Sequence, residues 1–364
     1  MMMIKFFFPG LVLGFFLNLC LFRPASGAEI QPQWHGSIHA PHNIEKSVAD
    51  PHKEISFFVK KDDTACILGS DGSLVAQAAA GNYLTSFSAD GKYFIRFLKI
   101  GTEIEFYSFL PKLERFWKIK SLEYPYLSPQ GKIIFLLNSD QSRIRMIDYN
   151  GNETGDRFLS GILCTVIAFS ERSDFGAAGF MSGGYFFVNP AGKVICRGNI
   201  PKGSVVKGMA VSDSGLYGAV HYGSAEKDSM RIIKIEDNDI EEVMLDEVHR
   251  VKSPLHITDK GIATIVQSSS ILQLTKRGKI SHRVGINPRR PGLCFISSRG
   301  AIYTIGYTQI EGESRFVILK KGTVLYSKSF SAESFLSPVM KGELIFLRGS
   351  DNLFCYSLPQ RSDE

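Results

Sequence analysis

A single-domain, all-β repeat fold is what this sequence predicts, and three observations carry that prediction. They are a period near forty residues, two turn types alternating in phase with it, and chain ends that complement one another. Eight times a short apolar run meets a small polar residue, a tight turn and a second apolar run. The turn anchors fall at 49, 88, 128, 170, 212, 258, 297 and 337, so the intervals are 39, 40, 42, 42, 46, 39 and 40. A strand-only repeat of this length marks a β-propeller, in which four-stranded sheets stand around an axis.

The elements follow in order. Ser88-Ala89-Asp90-Gly91-Lys92 and Ser128-Pro129-Gln130-Gly131-Lys132 are the clearest copies of the first turn. Residues 212–215, 258–261 and 297–300 repeat it, 170–173 and 337–342 are blurred versions, and 49–53 is a faint first copy. Naming the strands A to D from the axis outward, the third repeat reads as A at 124–127, B at 133–137, C at 143–149 and D near 154–159. Asn150-Gly151 joins C to D because both residues tolerate positive φ. Asp71-Gly72, Ala191-Gly192, Arg277-Gly278 and Lys321-Gly322 repeat that C–D turn, with Pro111-Lys112 and Asp237-Asn238 standing in for it elsewhere.

The last repeat supplies A at 335–336, B at 343–347 and C at 353–358, then stops at its C–D turn. Residues 33–40, around Trp34 and Ile38, lie upstream of the first A strand and can supply the missing D strand, which would hide an exposed edge. The expectation is eight four-stranded blades, with seven as the alternative. The segments are then a leader at 1–28, an N-terminal segment with the closing strand at 29–45, the propeller at 46–358 and a tail at 359–364.

Lys5, an apolar run from 6 to 22 and the small residues Ser26 and Ala28 have the form of a cleaved signal peptide, with cleavage after Ala28; an uncleaved anchor is the rival. Cleavage would make the protein secreted or periplasmic. It would take the formal charge from +6 to +4 by removing Lys5 and Arg23, an excess too mild to imply nucleic acid. Five of the six cysteines would remain. Cys164 and Cys196 fall on the first and fourth strands of one blade, roughly 14 Å apart at the spacing of strands in a sheet. Cys66 and Cys355 fall on third strands of neighbouring blades. No disulfide is expected.

The S-x-D-G turns resemble the S-P-D-G-K turns of WD40-like, TolB-type repeats, and the glycine-bearing C–D turns resemble those of pyrroloquinoline-quinone-type repeats. The likeness spans nearly the whole mature chain. It departs in lacking the Gly-His and Trp-Asp pairs of true WD40 repeats and, with Trp34 and Trp117 alone, the per-blade tryptophans of quinoprotein dehydrogenases. The resemblance implies an architecture and its usual role as an interaction platform.

Chemistry-bearing motifs are sparse. Asp90, Asp213 and Asp259 suit turn geometry better than a carboxylate ring. His35, His39 and His42 lack the regular spacing and the completing ligand of a metal site. The basic stretch Lys276, Arg277, Lys279, His282 and Arg283 is spread over two faces by strand alternation. Asn152-Glu153-Thr154 is a formal glycosylation acceptor. No nucleophile elbow, H-E-x-x-H or P-loop pattern occurs, and no cofactor is expected.

Length variation concentrates in the B–C and D–A connections at 197–207, 221–231, 246–254, 283–292 and 307–315, where function tends to gather. His221, Tyr222, Arg250, Lys252, Arg283, Arg289, Arg290 and Tyr307 are the candidate binding residues there. Their chemistry points to another protein or a polar or anionic envelope ligand. The alternative is an envelope enzyme, a glycan hydrolase or lyase, with a central-channel site, for which His256 is the lone ionisable candidate.

Overall fold

In the computed structural model the described residues are 31–37, 55–61, 64–69, 74–79, 83–89, 91–98, 100–108, 114–156, 158–250, 252–267, 269–285, 295–299, 303–310, 313–320, 323–331, 338–341, 344–348 and 352–357. They contain strands and no helix, in antiparallel sheets like propeller blades. Sheet 1 comprises Ile55–Lys61, Thr64–Gly69 and Leu74–Ala79; sheet 2 comprises Leu84–Phe87, Tyr93–Phe97, Glu103–Ser108 and Glu114–Lys120. Sheet 3 is Tyr124–Leu127, Ile133–Leu137, Arg143–Asp148 and Leu159–Ser160; sheet 4 is Cys164–Phe169, Gly176–Phe180, Gly184–Val188 and Val194–Asn199. Sheet 5 is Val205–Val211, Tyr217–Gly223, Asp228–Lys234 and Asp239–Leu245; sheet 6 is Leu255–Ile257, Ala263–Val266, Ser270–Leu274 and Ile280–Gly285. Sheet 7 is Phe295–Arg299, Tyr303–Ile310, Glu313–Lys320 and Thr323–Ser331. Sheet 8 is Pro338–Lys341, Leu344–Arg348 and Asn352–Ser357, and Gln31–Ser37 adds to its outer edge.

The recurrent turn has one physical logic. The hydroxyls of Ser88, Ser128, Ser212 and Thr258 accept hydrogen bonds from the backbone N–H of Tyr93, Ile133, Tyr217 and Ile262 at 3.0–3.2 Å. Each of these residues is buried, so a small side chain that can accept a hydrogen bond is required there. The glycine that follows has positive φ, as at Gly131 (75°) and Gly215 (71°). It also lies on an aromatic ring of the preceding repeat. A Cβ at Gly131 would approach Tyr93 to 2.6 Å, and one at Gly215 would approach Phe175 to 2.2 Å. Conformation and space therefore both demand glycine.

Successive turns are stapled to each other. Asp174 accepts from the Gln130 N–H at 2.8 Å, Asp213 from the Arg172 N–H at 2.7 Å and Asp259 from the Ser214 N–H at 2.8 Å. Asp213 and Asp259 thus serve as acceptors between neighbouring sheets; Asp90 lies outside the described residues. Apolar packing follows the same neighbour rule. One cluster joins Phe135, Met146 and Phe180 of sheets 3 and 4, a second joins Val166, Phe187 and Val206 of sheets 4 and 5, and a third joins Met230, Ile232 and Ile265 of sheets 5 and 6. The core is distributed between adjacent sheets face to face, not gathered at one centre.

Several boundaries differ from expectation. In the third repeat the fourth strand is only Leu159–Ser160, with Glu153 forming an isolated bridge to Ile147. Residues between them turn to the next sheet instead: the Asp156 N–H donates to Gly192 O at 3.2 Å, and its carboxylate accepts from the Val194 N–H at 2.7 Å. Residues 297–299 belong to the first strand of sheet 7, with Ser297 opposite Ile305, and the first strand of sheet 8 is Pro338–Lys341. The first strands of the last two sheets therefore run to Arg299 and Lys341, past the anchors at 297 and 337. The N-terminal strand is described over Gln31–Ser37, and Ile38 and Ala40 lie outside the described residues.

The described cysteines Cys164, Cys196 and Cys355 are buried free thiols, and Cys164 and Cys196 lie on the first and fourth strands of sheet 4. Burial pushes the Cys164 thiol up to about 11 and that of Cys355 up to about 12. Thiol titration of the denatured, unreduced protein lacking residues 1–28 is expected to find five, with these two nearly inert before unfolding at pH 8. Three or fewer would contradict the strand assignment.

Candidate functional site

The B–C and D–A connections of sheets 4, 5 and 6 build the most elaborate part of the molecule. Its floor is a buried charged network anchored on Asp228, at the start of the third strand of sheet 5. One carboxylate oxygen accepts from the Lys207 ammonium at 2.5 Å. The other accepts from the His249 backbone N–H at 2.8 Å and lies 2.9 Å from His221 Nε2. Lys207 also donates to His249 O at 2.6 Å and Ser224 O at 3.1 Å. All three of its protons are used, so this lysine holds loops together and offers no free charge.

Burial works against the Asp228 carboxylate, but hydrogen bonds from His221, Lys207 and the His249 N–H outweigh it and hold its pKa below the ordinary value. Desolvation lowers that of His249, reinforced by the neighbouring His221, whose ring meets it edge-on at 5.3 Å. His221 Nδ1 and His249 Nε2 are buried without a hydrogen-bond partner among the described residues.

Above this floor lie two recesses. The larger, of about 570 Å³, is walled by Val205, Lys207, Ser224, His249, Arg250 and Lys252. The smaller, of about 330 Å³, reaches Tyr124, Tyr126, Cys164 and Ile167 on the first strands of sheets 3 and 4 and Gln141 on the turn between Leu137 and Arg143. Thr165 and Lys252 border both. Lys252 is exposed, yet desolvation lowers its pKa. The two facts are compatible for a side chain in a concave mouth, where water reaches the amine while protein fills most directions around it. Among the described residues neither Arg250 nor Lys252 has a carboxylate or hydrogen-bond partner. Other cations nearby are paired: Arg231 with Glu242 and Asn199 O, and Arg283 with Asp246.

No protein-family profile matches the chain, and no curated protein sequence matches it. Solved structures do. BamB from Moraxella catarrhalis superposes with a TM-score of 0.62 at 9% identity, covering 91% of this chain and all of that one. Dihydro-heme d1 dehydrogenase NirN, solved in complex with DHE, gives 0.58 at 13% identity, covering 90% of this chain and 78% of that one. The C-terminal WD40 domain of Sif2 gives 0.54 at 12%, covering 78% and 87%. The chain is a β-propeller.

Within this propeller the candidate binding residues separate by depth. His221 and Tyr222 are buried within the second strand of sheet 5. Tyr222 is pushed up to about 12, first by burial and then by the Glu242 carboxylate, so its phenol stays neutral. Arg250 and Lys252 stand at the recess, and Arg283 is exposed on the outer strand of sheet 6. Tyr307 lies mid-strand in sheet 7, opposite Phe295 and Phe316. Arg289 and Arg290 lie outside the described residues.

Two of the expected long loops are therefore shorter. The connection at 221–231 reduces to 224–227, and that at 307–315 to a tight hairpin between Ile310 and Glu313. Strand pairing continues through polar residues because alternate side chains can face water. Sequence reasoning also missed a set of apolar residues on the same rim. Ile100 and Met181 lie on B–C turns and Leu122, Ile162 and Leu163 on D–A connections, and Ile100 is 93% exposed, Ile162 68% and Leu122 64%. The available signal was a bulky apolar residue inside a short turn, where solvation normally selects polar ones.

Among the described residues no group of three or more His, Cys, Asp or Glu side chains could hold a metal ion, and no helix is long and apolar enough to cross a membrane. His35 is in the N-terminal strand opposite Phe354; His39 and His42 lie outside the described residues. His256 Nε2 faces the Glu171 carboxylate at 3.3 Å within the inner layer.

Proposed function

We propose that this chain is an exported, eight-bladed propeller that binds another protein through its B–C/D–A rim. One observation carries the reading: bulky apolar side chains (Ile100, Leu122, Ile162, Leu163, Met181) are exposed on the rim that also carries the unpaired Arg250 and Lys252. Apolar groups with nearby uncompensated cations favour a partner presenting apolar side chains beside carboxylates. The blades hold these groups on short, hydrogen-bonded turns, so little ordering entropy opposes association.

The ring itself is supported by two pairings. Gln31–Ser37 lies antiparallel to Asn352–Ser357, with Ser37 opposite Asn352, and Ile55–Lys61 of sheet 1 touches Pro338–Lys341 of sheet 8. Export is supported by the leader-like residues 1–28, and the leader itself lies outside the described residues. A channel-site glycan hydrolase or lyase would rest on the Glu171–His256 pair, one carboxylate where such chemistry uses two.

Immobilised mature protein should recover a defined partner from its own envelope fraction. Ile162→Asp combined with Arg250→Glu is expected to reduce that recovery at least tenfold, with the thermal midpoint unchanged. Equal recovery by the folded variant would sink the reading.

A further inference from the structure

We propose that the smaller recess binds a small carboxylate, with Lys252 as the charge partner and Tyr126 as a hydrogen-bond donor. It shares Lys252 with the rim reading above but does not need a protein partner on the rim, and its test uses neither Ile162 nor Arg250.

Lys252 projects into a space from which protein displaces much of its hydration, with no anion among the described residues to compensate. A crowded ammonium without a partner is unfavourable on its own and is relieved by an incoming anion. Tyr126 is 39% exposed at this recess, and no described group accepts from its hydroxyl. Its pKa is raised by burial, so it remains a proton donor. The remaining wall is mixed, with Leu137, Cys164, Val166 and Ile167 beside the polar Ser139, Gln141 and Thr165. Cys164, also raised by burial, adds no competing anion.

The combination discriminates between ligands. One cation suits a monoanion; a phosphate dianion usually meets an arginine fork or several donors. About 330 Å³ is near the lower end of ligand-pocket sizes, which begin at roughly 300 Å³, so the ligand is small. Backbone conformation is also unusual here. The non-glycine residues with positive φ among those described are Gln141 (58°), Leu163 (49°) and Asn238 (50°). Asn238 occupies a hairpin turn that asparagine tolerates. Gln141 lines the recess and Leu163 immediately precedes Cys164 in its wall. The Cys164 N–H donates to Gln141 O at 2.6 Å, fastening the two walls in place. Such geometry persists where surrounding structure enforces it.

The mature protein would be titrated with phenylacetate, its neutral isostere phenylacetamide and the tripeptide Gly-Gly-Phe with a free carboxyl, followed by saturation-transfer NMR. At least one carboxylate is expected to bind tenfold or more tightly than phenylacetamide. Lys252→Met should abolish that preference and Tyr126→Phe should weaken it about threefold, both with unchanged thermal midpoints. Phenylacetate alone identifies a free small molecule as the source and the tripeptide alone a chain terminus; either upholds the site, as does binding of both. Equal affinity for acid and amide, a preference that survives in Lys252→Met, or no transfer from any probe at about 10 mM overturns it. Because rim capture is read with Ile162 and Arg250, failure of one reading leaves the other standing.

Discussion

Asp228→Ala is expected to destabilise the protein by about 3–5 kcal/mol, the range for removing one partner of a buried ion pair. The side chain of Asp228 is fully buried and that of Lys207 is 12% exposed. The substitution leaves an ammonium, the His221 ring and the His249 N–H without their shared acceptor. Replacing Lys207 with Met as well should recover part of the loss, since removing both partners costs less than stranding one. Urea or thermal unfolding measures both, and a single-variant loss below about 1 kcal/mol would refute the buried network.

The same network predicts an acid limb. His249 has its folded pKa lowered from 6.5 and Asp228 from 3.8. In each case the unfolded chain binds more protons, so stability is fully present above the unfolded value and is lost as pH falls through the folded one. Loss from His249 begins below about pH 6.5 and that from Asp228 below about 3.8. His249→Phe should remove the upper limb and Asp228→Ala the lower.

Deleting residues 29–37 is expected to lower stability by several kcal/mol and to promote self-association. Gln31–Ser37 covers the outer edge of Asn352–Ser357 over six paired positions. Each ladder hydrogen bond is worth about 1 kcal/mol net, and an uncovered edge is a template for other chains. The middle strand beneath it is well buried, with Ile345, Phe346 and Leu347 each inaccessible to solvent, so the edge would be held rigid and open. Differential scanning calorimetry and light scattering read the two effects. A synthetic peptide of residues 29–40 should restore the midpoint in trans; an unchanged midpoint without it would remove the case for ring closure.

The regular repeats were legible because their turns are local. A buried hydroxyl, a left-handed glycine and an aromatic one strand away lie within a few dozen residues and recur in phase. The strands at Tyr124–Leu127 and Ile133–Leu137 accordingly fall where the spacing puts them. The Leu159–Ser160 strand was misplaced because Asp156 is claimed by a neighbouring sheet, a competition invisible within one repeat. Binding candidates were less legible. Arg250, Lys207, Lys252 and Arg283 look alike as letters, but Lys207 is consumed by Asp228, Arg283 pairs with Asp246, and Arg250 and Lys252 have no described partner.

By itself, the sequence determined the all-β class, the period and the antiparallel order of strands within the repeats. These follow from alternation and turn chemistry, which act over short distances. Only the tertiary structure decided which charges are spent, which apolar residues stay in water and where the recesses lie. Those outcomes depend on groups brought together from strands and connections well separated along the chain, such as Tyr126 with Lys252 and Asp228 with Lys207, whose meeting no local pattern encodes.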